Sequence, residues 1–123
     1  MKVLLSIKPE YAEKIFDGHK KYEYRRVLFK DKNVNKVIIY MSSPVKKVVG
    51  EFEIEDILFE NIDELWRRTY NGSGITKELF YKYFIDKEKG YAMKIKNVTK
   101  YSTPINLEKE FNVSPPQSFV YLT

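Results

Sequence analysis

The feature that most constrains the fold is a change of period at Gly18. Before it, Tyr11, Ala12, Ile15 and Phe16 recur at helical spacing and give one apolar face. Pro9 suits the first turn of that helix, where a missing N–H costs nothing. Gly18 suits the left-handed position just past its end. After Gly18 the period becomes two: Tyr22 and Tyr24 alternate with Lys21, Glu23 and Arg25. A helix over 9–17 therefore stops at a glycine, and a strand over 20–26 leaves it with cations and one carboxylate on the face opposite Tyr22 and Tyr24. The alternative for this charged ledge is an ordinary solvated face, with Glu23 and Arg25 a surface pair of little energetic weight.

The remaining chain continues in strands with helices between them. Lys2–Lys8 alternates as a first strand, and 36–42 is a continuous apolar run typical of a buried one. Val45–Glu60 alternates with a change of phase near Asp56, which together with Gly50 predicts a bulge or bend. Helices are expected after Asn61 and after Thr76, the latter residue acting as a cap. Tyr91–Tyr101 alternates as a strand, Pro104 opens a turn or short helix, and Phe119–Leu122 closes the chain as a last strand. The order predicts an α+β fold, a small mixed β-barrel with helices in the connections, rather than βαβ units on a parallel sheet.

Length and composition exclude several classes. At 123 residues, one domain spanning 1–123 is expected. With 43% hydrophobic and 32% charged residues the chain is globular, not disordered. There is no cysteine and one histidine, His19, so no thiolate or His-rich metal site is available and no cofactor is expected. His19 is expected as an exposed turn residue. The apolar run at the N-terminus is interrupted by Lys8, Pro9 and Glu10, too soon for a signal peptide, and no run spans a membrane, so a cytoplasmic location is expected. The net charge is +5, but residues 51–66 carry seven acids and no base. Cations therefore concentrate elsewhere, as a nucleic-acid-binding face requires. Glu51, Glu53 and Glu55 share parity and would form an acid row, either solvated or a weak cation site. Trp66 is expected as a core anchor.

Ser6-Ile7-Lys8-Pro9, then Ile15, then Gly18-x-Lys20-x-x-Glu23-x-Arg25 resembles the signature of the ASCH domain family. Val49-Gly50-Glu51-Phe52, Gly90-Tyr91-Ala92-Met93-Lys94-Ile95 and Pro115-Pro116-Gln117-Ser118-Phe119 resemble its later segments. The resemblance implies a PUA-like β-barrel and RNA binding. Some members are ribonucleases. One branch is an amidohydrolase of acetylated cytidine that uses a lysine matching Lys20 and a threonine where this chain has Glu23.

Three functions follow as expectations. The first is a module for RNA or single-stranded nucleic acid. In it Lys8, Lys20, Lys21, Arg25 and Arg26 meet phosphates, and a base or nucleotide sits in a cleft near Glu23. The second is an enzyme on RNA or a modified nucleoside, a ribonuclease or amidohydrolase, with Lys20 and Glu23 as its catalytic pair. The third is a small-ligand or protein-interaction domain. The sequence leaves the oligomeric state open.

Overall fold

The computed structural model describes residues 1–122. In chain order the elements are β1 (Lys2–Ile7), α1 (Pro9–Phe16), β2 (Tyr22–Arg25), β3 (Lys36–Met41), β4 (Lys47–Asn61), α2 (Ile62–Thr69), α3 (Lys77–Tyr83), β5 (Lys89–Ile105), α4 (Leu107–Phe111) and β6 (Phe119–Leu122). A 3-10 turn, Tyr70–Gly72, follows α2.

The local signals act as expected. Pro9 opens α1, and Gly18, at φ +87°, carries the chain out of it. The Asn61 side chain accepts from the Glu64 N–H, and Thr76 Oγ1 accepts from the Leu79 N–H, so both helices are capped. Each such cap contributes about 1 kcal/mol.

The strands form one mixed sheet in the order β2-β5-β4-β3-β1-β6. β1 runs parallel to β3, and every other pairing is antiparallel. β4 and β5, with 15 and 17 residues, are the long spine. Their ladder shifts register at three places, between Val48/Gly50, Glu51/Glu53 and Ile54/Asp56. Such bulges bend a strand and increase its twist, so the sheet curls. β5 also runs through Pro104, expected to open a turn; proline is tolerated there because it lies in the widest of these shifts.

The mixed α+β architecture agrees with the sequence reading; of the expected small β-barrel, closure is not seen. No backbone ladder among the described residues joins β2 to β6, so the sheet keeps two edges. The curl is instead tied by a side chain: Arg25 Nη2 on β2 donates to the Ser6 carbonyl on β1 at 3.2 Å. The enclosed face holds Val3, Leu5, Ile7, Val37, Ile39, Phe52 and Met93, and α1 adds Ala12 and Ile15. The outer face is covered twice. α4 seats Leu107 on Leu4, Ile38 and Val48. α2 and α3 seat Leu65, Phe80 and Phe84 on Tyr24 and Ala92. No helix among the described residues is long and apolar enough to cross a membrane.

Candidate functional site

The chain after Gly18 does not lie on open surface. Three successive carbonyls beyond α2 hold it together with the last turn of α1. Gly72 O accepts from the Lys21 backbone N–H at 2.7 Å, Ser73 O from Lys20 Nζ at 2.8 Å, and Gly74 O from Lys14 Nζ at 3.1 Å. The close approach needs glycine. A Cβ at Gly72 would lie 2.8 Å from Lys21 Cβ, and one at Gly74 would lie 2.6 Å from Lys20 Cβ. Gly74 also has φ +67°, a conformation side chains disfavour.

This clamp buries Lys20 to 3% exposure. Its ammonium lies 4.8 Å from the Tyr24 ring centroid and 5.5 Å from that of Tyr11, two cation–π contacts. Burial lowers its pKa from 10.5 to about 8; Glu23 opposes the shift, and Lys14 and Arg25 add to it. A substantial neutral fraction thus exists near physiological pH, rare for a lysine.

Glu23 is buried too, and its Oε2 accepts from Arg25 Nη2 at 2.9 Å. Arg25 Nε is buried without a hydrogen-bond partner among the described residues. An orphan donor of this kind costs about 1–3 kcal/mol unless something satisfies it. The Tyr24 hydroxyl bonds to Thr69 Oγ1 at 2.7 Å, and burial raises its pKa. The Tyr83 hydroxyl donates to the Tyr24 carbonyl at 3.2 Å.

Tyr11, Lys20, Glu23, Tyr24, Arg25 and Tyr83 line a cleft of about 350 Å³ with Lys8, Lys82, Ile75 and Leu79. Four cations (Lys8, Lys20, Arg25, Lys82) face one acid, Glu23. An anion with a planar apolar portion matches this lining: cations for its charge, tyrosine rings for its flat face.

Of the residues singled out from sequence, Lys8, Lys20, Glu23 and Arg25 meet in this cleft. Lys21 and Arg26 lie elsewhere. Lys21 is exposed beside Gly72, and Arg26 lines a depression with Val27, Phe59 and Tyr91, its Nη2 donating to the Ile85 carbonyl. The alternation on β2 holds in register: Glu23 pairs with Met93 of the enclosed face, Tyr24 with Ala92 of the outer one. Yet Tyr24 lines the same cleft as Glu23, because β2 is an edge strand and the cleft wraps around it. Tyr11, Ser73, Gly74, Lys82 and Tyr83 carry no site signal in the sequence, where the glycines of Asn71-Gly72-Ser73-Gly74 mark only the end of a helix.

The remaining candidates resolve simply. Glu51 pairs with Lys36 at 2.9 Å and Glu55 with Lys94 at 2.8 Å, while Glu53 accepts from Asn97. Three separate partners replace the acid row. His19 is exposed and bonds Asp17, whose pKa falls because it accepts from the His19 backbone N–H. Trp66 packs on Phe80 at 4.9 Å between centroids.

The family model of the ASCH domain matches residues 5–113. The chain is 32% identical to the large ribosomal subunit protein uL22 of Ureaplasma parvum serovar 3, over 98% of this chain but only 39% of that protein's length. It is 32% identical to an ASCH domain-containing ribonuclease of Zymomonas mobilis, over 97% of this chain and 82% of the ribonuclease. The crystal structure of ASCH from Zymomonas mobilis superposes with a TM-score of 0.91 at 28% identity, covering 99% of this chain and 87% of that one.

Proposed function

The chain belongs to the ASCH domain family, and on that premise we propose that it binds RNA or single-stranded nucleic acid, with one nucleotide held in the cleft beside Lys20, Glu23 and Arg25. The observation that carries this reading is the buried Lys20–Glu23–Arg25 group under a cationic rim. Lys8, Lys82 and the Arg25 guanidinium take phosphate oxygens. The base lies against Tyr11 and Tyr24, and Glu23 accepts from its edge. The test is binding of a short labelled RNA across a salt series. Affinity falls steeply with salt as counterions are released; no affinity at low salt would leave a small-ligand or protein-interaction role.

A second reading, cleavage of the bound RNA, rests on the lowered pKa of Lys20 and on the ribonuclease relative. The neutral Lys20 amine accepts the proton of a 2′-hydroxyl, the 2′-oxygen attacks phosphorus, and the P–O5′ bond breaks. The ammonium returns its proton to the departing 5′-oxygen, leaving a 2′,3′-cyclic phosphate. Glu23 holds the Lys20 pKa near 8 rather than lower. The readout is appearance of the cyclic phosphate from RNA and not from the matching DNA. Turnover of an acylated-nucleoside panel instead would point to amidohydrolase chemistry.

A further inference from the structure

Arg25 stands directly opposite Tyr91 across the β2–β5 ladder, and Tyr91 directly opposite Phe59 across β5–β4. Directly opposed residues of antiparallel strands project from the same face. The arginine of the cleft and two aromatic rings therefore form one row across three strands. Strands are about 4.8 Å apart, so Phe59 lies roughly 10 Å from Arg25. Stacked nucleotides repeat at about 3.4 Å, which puts Phe59 within a few nucleotides of the cleft.

The far end of the row is built like a stacking surface. The Phe59 and Tyr91 rings stack with centroids 4.4 Å apart and planes at 24°. Phe59 is 49% exposed, and Lys89 Nζ lies 5.3 Å from its ring centroid. Both rings line a depression of about 750 Å³. Arg26, Lys30, Lys32, Lys87 and Lys89 line it too, five cations against the two acids Asp31 and Glu88. An apolar protein partner would have to desolvate that cationic surround, whereas a polyanion with π faces satisfies both parts of it.

We propose that the Arg25–Tyr91–Phe59 row is a stacking platform. A single strand whose one nucleotide occupies the cleft continues past Tyr91 onto Phe59. The base takes the place of the Lys89 ammonium over the Phe59 ring, and the released ammonium meets the strand's phosphate. The proposal rests on the nucleic-acid reading above, and it extends that reading from one nucleotide to a strand of several.

The experiment compares the affinity of the full chain for a mononucleotide and for a single-stranded tetranucleotide of the same base, at one low salt concentration. Wild type binds the tetranucleotide more tightly. Phe59→Ala loses about fivefold or more of that affinity and leaves the mononucleotide unchanged. Lys87→Glu with Lys89→Glu, which leaves both rings in place, also weakens only the tetranucleotide. Wild-type affinity independent of length, or equal loss on both ligands in either variant, overturns the platform while leaving the cleft reading standing. No wild-type affinity for either ligand overturns both.

Discussion

A β-carbon at Gly74 would sit 2.6 Å from the β-carbon of Lys20. These residues belong to segments far apart in sequence, and their approach is what buries the lysine. Gly74→Ala adds a Cβ at φ +67° as well as this clash. The expected cost is about 1–3 kcal/mol, with displacement of Lys20 from Ser73. Urea unfolding and RNA affinity measure the two effects; an unchanged midpoint with unchanged affinity would show that residues 72–74 do not clamp Lys20.

Lys20 itself opposes folding at neutral pH. Its folded pKa of about 8 lies below its ordinary 10.5. Between those values the unfolded chain holds more protons, so wild-type stability rises as pH rises through this window. The full effect is on the order of 3 kcal/mol, and the lost bond to Ser73 offsets about 1 kcal/mol of any gain from removal. Lys20→Met is therefore expected to be more stable than wild type at pH ~7 and to lose that advantage toward pH ~10. A variant less stable than wild type by the same margin at both pH values would contradict this.

If neutral Lys20 is the base, the cleavage rate rises with pH through about 8 and then levels. Lys20→Arg keeps the charge but has no usable neutral form. It should bind RNA and not cleave it. Retained cleavage in a well-folded Lys20→Arg protein would take the chemistry away from this residue.

Glu23 and Arg25 are a buried pair, with side-chain exposures of 9% and 12%. Removing one partner strands the other. Glu23→Ala should cost about 3 kcal/mol, and Glu23→Ala with Arg25→Met less than the sum of the single changes. The milder Glu23→Gln addresses recognition. It is expected to weaken some bases selectively across an RNA panel, by about 1–3 kcal/mol. Uniformly tighter binding by Glu23→Gln would make Glu23 only a partner for Arg25.

The rim cations predict a contrast. Lys8→Ala and Lys82→Ala should each reduce the salt slope of RNA binding by about 1. Lys21→Ala, which alters a side chain packed along Gly72 and outside the cleft, should leave it unchanged. An equal fall in all three would mean that binding follows overall charge and not the cleft.

Local features were legible because local physics decides them. The Pro9 start and Gly18 exit of α1, the Thr76 cap and the bulged Gly50 strand all follow from residues within a turn of the feature. The motif also located four of the cleft residues. What could not be read was the depth of Lys20, since that is set by carbonyls of residues 72–74 brought in by a distant turn. The split between Arg25 and Arg26 was hidden for a related reason. Arg26 lies just past the end of β2, where alternation no longer sets direction, and its side chain is held by the distant Ile85 carbonyl. The open edge had no sequence signal at all, since what ties β2 across the curl is a side-chain bond from Arg25 to the Ser6 carbonyl on β1.

Among the described residues β2 has a single strand partner, β5, and their paired residues run from Tyr22–Lys94 to Arg25–Tyr91. β1, by contrast, finds β3 early in the chain. Lys20 and Glu23 are therefore buried only where residues 72–74 and the 91–94 segment of β5 are in place. Without those segments both side chains are solvated, ordinary charges. The cleft thus exists only in molecules whose spine is formed, and a chain in which β5 has come away carries the charges of the site without its chemistry.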